Sequence, residues 1–376
     1  MLLTLAIGWT LPQANWRLVE VRRIGSIDER GQALTRVSAA IVDQKGAVLI
    51  AQPQEAMVRV FDSEGRPQHV LGRRGGGPGE FQSISTIVAR NDTVYVSDFG
   101  QQRLTAFAQS GEVMGTWLVV SHPFNSDFRP APAVAPMKGG LFLAVPSVPA
   151  ALSARNLTTR IPVMLIDRDG TVEQTVDSLR WERKSGMIQR TGGVTFFTQP
   201  FTSESLWAIS SDAAFLVIMH RDRGTEKVGV LEIGVFDGAG KEVIRKQVRV
   251  ELQRLPSTVR DSLTEHWTKS FMKRGLSRRE AQEIVAREIR IPVHFPAASQ
   301  VLVTTSGTVW IGTPNSAAET RRWLVMDRSG TTIASLILPS SVRLLSVSDS
   351  AALGAITGEF EEPYVARYRI ERSKNQ

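Results

Sequence analysis

Residues 37–72 read VSAAIVDQKGAVLIAQPQEAMVRVFDSEGRPQHVLG, and residues 84–119 read ISTIVARNDTVYVSDFGQQRLTAFAQSGEVMGTWLV. Both stretches follow one rhythm. An apolar strand is followed by a polar turn, a second short strand, a loop, and an alternating strand that ends near Phe61 or Phe107. A turn closed by Gly65 or Gly111 then leads into a last strand. Short strands at regular spacing, divided by turn chemistry, indicate an all-β repeat, and four strands in about 40 residues make a propeller blade.

The rhythm continues outward from this pair. A third unit spans about Ala131–Ser178 and carries IPVMLIDRDG at 161–170. A fourth spans Leu206–Glu251 with VLEIGVFDGAG at 230–240, and a fifth spans Ala298–Leu338 with RRWLVMDRSG at 321–330. Asp62, Asp167, Asp237 and Asp327 recur before a glycine three residues on, so they are expected to accept backbone amides within turns rather than to do chemistry. From Val342 a sixth unit offers only three strands, RLLSVSD, AALGAIT and YVARYRIE. The segment WRLVEVRRI at Trp16–Ile24 can supply the fourth, which would hide two exposed sheet edges. The expected fold is an all-β six-bladed β-propeller, ring-closed by an N-terminal strand. Seven blades is the alternative if the helical segment described next conceals one.

That segment lies between units four and five, at about 257–290. Val259, Leu263, Trp267 and Phe271 fall at intervals of four, as on one helix face. Gly275 ends that helix, and Ser277 with Glu280 forms a capping box for a second. The reading is one α-helical hairpin insertion whose apolar residues buttress its neighbours.

The connection LGRRGGGPGEF at 71–81 resembles the inter-blade linker of NHL-repeat propellers, and VYVSDFGQQRLTAFAQSG at 94–111 is similar to that family's strand–turn–strand signature. Asp98, Arg103 and Phe107 occupy matching positions, while Gln101 or Gln102 stands where the family has Asn. The close match covers roughly residues 37–120; later units match in rhythm only. The resemblance implies the six-bladed fold. It does not imply one activity, because such propellers serve as binding platforms, enzymes and receptor ectodomains.

The chain of 376 residues has no cysteine, which excludes disulfides, thiol catalysis and cysteine-ligated metal. Its net charge is +8, which favours acidic partners in general. No run of five Lys or Arg accompanies that charge, so it is read as a solvated rim. No apolar run approaches the about 20 residues of a membrane span. Leu2–Trp9 (LLTLAIGW) has the character of a secretory leader, so residues 1–14 are read as a signal-peptide remnant and 15–376 as one propeller domain. A periplasmic or extracellular monomer is the corresponding expectation.

In such a propeller one face, here called upper, carries the loops between second and third strands and the connections from one blade to the next. The long segments Ser147–Arg160, His220–Lys227, Pro314–Thr320 and Gly358–Glu362 fall there, and loops on a rigid scaffold usually carry binding residues. The binding candidates are Arg73, Arg74, Asp98, Gln102, Arg103, His220, Arg221 and Arg223. The leading expectation is a non-enzymatic propeller that binds a protein, glycan or small ligand across this face, with no cofactor. One alternative is a metal-dependent hydrolase or lyase, lactonase-like or amidating-lyase-like, in the central channel. Calcium would need converging oxygen ligands, yet the asparagines fall mostly in loops. The five histidines form no ligand motif, and are read as loop residues. The third option, single-stranded nucleic acid on a basic face, has few stacking aromatics to support it.

Overall fold

The computed structural model describes residues 14–26, 32–118, 120–121, 131–146, 159–181, 185–190, 193–225, 227–314 and 319–372. Among these residues six antiparallel sheets follow one another in chain order, and each runs from an inner to an outer strand. The first has the order Ala39–Val42, Val48–Gln52, Met57–Phe61, Pro67–Leu71. The second runs from Ile84–Arg90 through Thr93–Asp98 and Arg103–Ala108 to Val113–Trp117. Blades three, four and five occupy 131–181, 206–251 and 300–339. The molecule is a six-bladed β-propeller. Blade three gains a fifth, two-residue strand, Val120–Ser121, on its inner edge.

Blade six draws Arg343–Val347, Ala351–Thr357 and Pro363–Arg372 from the end of the chain and its outer strand, Trp16–Ile24, from the beginning. The pairing is antiparallel, from Trp16 opposite Arg372 to Ile24 opposite Val365, with one irregularity between Glu20 and Arg22. The closing strand also reaches both neighbouring blades. The Ala14 carbonyl accepts the Ser335 amide of blade five at 3.1 Å, and the Trp16 ring lies 6.0 Å from that of Trp310. On the other side Ile24 is buried with Val48 and Phe61 of blade one.

The core is a circle of seams between blades. Leu49, Val58 and Leu71 of blade one pack against Phe81, Val96 and Phe107 in one cluster. Val217, Leu231 and Val235 of blade four join Val301, Ile311 and Leu324 of blade five in another. Alternation places these residues on the buried side of each strand. No blade could keep its apolar face from water by itself.

The recurring aspartates act as their spacing predicts. Asp62 Oδ1 accepts the amides of Glu64 and Arg66, each at 2.9 Å. Asp167, Asp237 and Asp327 repeat this with the residues two and four places on. Gly65, Gly170, Gly240 and Gly330 take positive φ in the same turns. At Gly72 the backbone leaves no alternative. Its φ is +75°, and a Cβ there would lie 2.2 Å from the Phe81 ring.

Two insertions interrupt the ring. Helices α1 (Ser257–Met272) and α2 (Arg278–Glu288) connect blade four to blade five, and Ser277 with Glu280 forms the expected capping box. The second insertion is a β-hairpin between blades three and four, Ser185–Arg190 paired with Gly193–Thr198, which the sequence reading did not identify. The two pack on each other. Phe197 meets Trp267 and Phe271 edge-on, at 6.2 and 6.0 Å, within a cluster that includes Leu276, Ala281, Val285 and Ile289. Gln199 adds a hydrogen bond from Nε2 to the Glu288 carbonyl, 2.7 Å. No described helix is long and apolar enough to cross a membrane.

Candidate functional site

In an antiparallel blade the loop between strands two and three lies at the same end as the exit from strand four. Both insertions and the linker 72–80 therefore sit on the upper face, as do the tips of the blades.

The glycine-rich linker is folded tightly upon itself. Arg73-Arg74 pairs in parallel with Glu80-Phe81. Glu80 accepts the Gly77 amide at 2.7 Å and the Arg73 guanidinium at 2.8 Å, and these two contacts hold its carboxyl below the usual carboxylate range. Arg103 Nη2 donates to the carbonyls of Gly77 and Glu80, at 2.8 and 3.0 Å. Gln101 donates to those of Gly75 and Glu80. Asp98 is fully buried, and its carboxylate accepts four amides: Gln82 at 2.7 Å, Ser83 at 3.0 Å, Gly100 at 2.8 Å and Gln101 at 3.2 Å. The residues that match the repeat signature thus clamp the linker to the tip of blade two. Asp98 and Arg103 are braces.

Arg73, Arg74 and Gln102 remain at the surface. The Arg73 side chain is 80% exposed despite its bond to Glu80. Arg74 donates to the Gln54 carbonyl of blade one. Gln102 is exposed, with φ +54° at the turn. Ala56 and Glu361 hold the equivalent left-handed position in the tips of blades one and six.

His220 and Arg221 depart from the sequence reading. The segment from His220 was expected to be a charged loop, but it continues the strand Phe215–Thr225, and both side chains are buried. Being adjacent on a strand, they face opposite ways. His220 Nδ1 lies 2.7 Å from Ser205 Oγ, which itself accepts the Arg180 amide at 2.7 Å. One hydrogen bond joins this hydroxyl and the ring, its direction set by the imidazole tautomer. Burial lowers the affinity of the imidazole for a proton; Asp177 and Glu232 oppose that effect, and Arg180 adds to it. Arg221 turns toward blade five and donates to the carbonyls of Glu204, at 2.6 Å, and Ala298, at 2.7 Å. The pair seals blade four to its neighbours on both sides. The Arg223 side chain and His122 lie outside the described residues, as do 147–158 of the segment Ser147–Arg160 and 315–318 of Pro314–Thr320.

The structure therefore divides the predicted set in two. Arg73, Arg74, Asp98, Gln102 and Arg103 gather at blades one and two, whereas His220 and Arg221 sit at blade four. What the sequence reading overlooked is apolar. Phe360 (77% exposed), Leu118 (72%) and Phe99 (49%) stand on upper-face connections of blades six and two. Phe360 is displayed on an ordered turn, because Glu362 accepts its amide at 2.7 Å and the Tyr364 hydroxyl at 2.9 Å. A lone aromatic inside a polar tip such as GEFEE was the available signal.

Along the ring axis runs a cavity of about 220 Å³ lined by the inner strands of blades one, two, four, five and six. Ser85, Thr86, Ser211 and Ser346 supply its hydroxyls, Ile209 and Leu302 part of its apolar wall, and none of its lining residues is ionisable. Among the described residues no three His, Asp or Glu side chains converge as a ligand set for a metal.

Comparison with known proteins agrees with this architecture. A family described as 6-bladed beta-propeller matches residues 33–123, which hold blades one and two. No curated protein matches the sequence. Among solved structures, a member of the duf4221 family from Bacteroides vulgatus superposes with a TM-score of 0.50 at 10% identity, covering 96% of this chain and all (100%) of that one. The PQQ-bound aldose sugar dehydrogenase from Streptomyces coelicolor gives 0.45 at 11% identity, over 96% and 100% of the two chains. Virginiamycin B lyase from Staphylococcus aureus gives 0.42 at 11%, over 94% and 99%. At these identities the likeness is one of fold.

Proposed function

We propose that the chain is a non-enzymatic binding propeller of the NHL-repeat type, and that its protein or ligand partner sits on the upper face over blades six, one and two. The observation that carries this reading is the display of Phe360 and Phe99 on blade tips that flank the exposed Arg73. Aromatic and arginine side chains dominate the energy of recognition surfaces, and a rigid turn lowers the entropy lost when they are covered. Arg74 and Gln102 border the same sector. Asp98 and Arg103 hold its loops, and His220, Arg221 and Arg223 belong to the far side of the ring. The neutral lining of the axial cavity supports a site elsewhere than the channel. The apolar stretch Leu2–Trp9 supports a periplasmic or extracellular setting, with residues 15–376 as the working domain.

The test is to screen peptide and glycan arrays with the intact chain and with Phe99→Asp, Phe360→Asp and Arg73→Glu. The expected result is binding that each upper-face change weakens by about tenfold or more, while thermal unfolding stays as in the parent. A ligand equally well bound by all three variants would overturn the placement. A stoichiometric metal required for turnover of a substrate would overturn the non-enzymatic reading.

A further inference from the structure

On the opposite, lower face, blades two and three enclose a second cavity of about 190 Å³. Its lining joins two arginines to residues of the blade cores. Arg90 and Asn91 come from the first turn of blade two, and Arg168 from the last turn of blade three. The Trp117 and Tyr95 rings and the buried side chains of Met137 and Phe142 supply apolar walls. The Arg168 guanidinium stands 5.7 Å from the centre of the Trp117 ring.

Among the described residues neither Arg90 nor Arg168 has a carboxylate partner. This contrasts with the arginines elsewhere on blades three and four, where Arg180 and Arg245 share Asp177, Asp222, Glu232 and Glu242. Of the nearby acids, Asp92 pairs with Lys45 at 2.8 Å, Asp167 holds the amides of its own turn, and Asp169 follows Arg168 as an exposed residue of that turn. Arg90 and Arg168 bring two positive charges to one partly apolar cleft, and an anion bound there would be attracted by both. Guanidinium suits a planar carboxylate, which it can meet with two parallel hydrogen bonds. The walls add the rest of the specification, since Trp and Tyr faces favour a flat apolar body. Size limits that body to one ring. A cavity of roughly 150 Å³ accepts benzene, whereas drug-sized ligands occupy about 300 Å³ or more.

We infer that this cleft is a binding site for a small aromatic carboxylate, with Arg90 and Arg168 taking the carboxylate, Trp117 and Tyr95 the ring, and the Asn91 amide available as a further donor. Gly140, on the lining, is exposed, and a Cβ added there would meet nothing within 4 Å.

Benzoate, benzamide and inorganic phosphate are the probes, followed by calorimetry and by tryptophan fluorescence on the intact chain. Saturable one-to-one binding of benzoate is expected, with benzamide and phosphate each weaker by at least about tenfold. Arg168→Ala and Arg90→Ala should each weaken benzoate by a similar factor, and Arg168→Glu should abolish it. Arg168 is exposed on its turn and Arg90 is half-buried, and unchanged thermal unfolding verifies that each variant keeps the fold. Arg73→Ala should leave the affinity as it is. The proposal is overturned if benzoate does not bind at millimolar concentration, if both arginine variants retain parental affinity, or if phosphate binds as well as benzoate.

Discussion

The Trp16 ring lies 4.9 Å beneath the Arg372 guanidinium, so the first strand of the ring and the last are joined face to face where they begin and end. Trp16 is almost wholly buried, beside Trp310 and Trp323 of blade five, whereas Arg372 is exposed. The two sides of this contact therefore carry different shares of the closure. Trp16→Ala should lower stability by about 3–5 kcal/mol, the usual loss for a large buried aromatic. Arg372→Ala should cost under about 1.5 kcal/mol, a surface cation–π contact plus one hydrogen bond. Urea unfolding of the two variants measures both. Equal losses would mean that the closing strand is not held by its tryptophan.

Asp98 offers a second test of what is scaffold and what is surface. Asp98→Ala leaves amides at Gln82, Ser83, Gly100 and Gln101 without their acceptor in a buried loop junction. A loss of about 3 kcal/mol or more is expected, given roughly 1–3 kcal/mol for each stranded buried group and incomplete additivity. Asp98→Asn keeps one acceptor oxygen and should lose less. Denaturant melts give the ranking, and an Asp98→Ala chain as stable as the parent would contradict the bracing role.

His220 makes a pH prediction. Burial sets its folded-state proton affinity below that of a free imidazole, ordinarily 6.5. A depressed group contributes stability above its unfolded value and loses that contribution as pH falls. The parent should therefore weaken below about pH 6.5, with a slope of at most about 1.4 kcal/mol per pH unit from this group. His220→Asn, whose side-chain amide stands where Nδ1 does and can keep the bond to Ser205, should flatten that part of the profile. Chemical unfolding at several pH values between 7 and 4 records the difference, and superimposable slopes would remove His220 as the cause.

The paired insertions should behave as a unit of their own. Phe271 is fully buried against Phe197 and Trp267, so Phe271→Ala should cost about 3–5 kcal/mol locally. Hydrogen exchange is expected to quicken at 185–198 and 257–289 together, while the blades keep their protection. Faster exchange in the helices alone would show that the hairpin stands without them.

Much of this architecture was legible in the letters because its determinants are local. The strand–turn rhythm of 37–119, the aspartate turns and the capping box at Ser277 each need only neighbours in sequence. Ring closure was legible for a different reason: three strands at one end and one at the other leave a single way to hide two edges. The hairpin 185–198 escaped because its apolar side, represented by Phe197, is covered by helices some 60–90 residues downstream. His220 and Arg221 were misread as loop residues because their partners, Ser205, Glu204 and Ala298, come from other parts of the chain. Asp98 and Arg103 were recognised by position, but the Gln82 and Ser83 amides that Asp98 accepts and the Gly77 and Glu80 carbonyls that Arg103 holds come from 15–26 residues earlier. In each case the decisive partner was distant in sequence, which local composition cannot convey.

The strand Trp16–Ile24 also sets a timetable. Its partner, Pro363–Arg372, lies about 340 residues further along the chain, and at about 5–20 residues per second the first must wait roughly 20–70 seconds for the second. Blades one to five can form in order during that interval, but the circle stays open until that strand has been made. A nascent chain of this design therefore cannot lock prematurely, and loss of Pro363–Arg372 by stalled translation or proteolysis would leave the circle open.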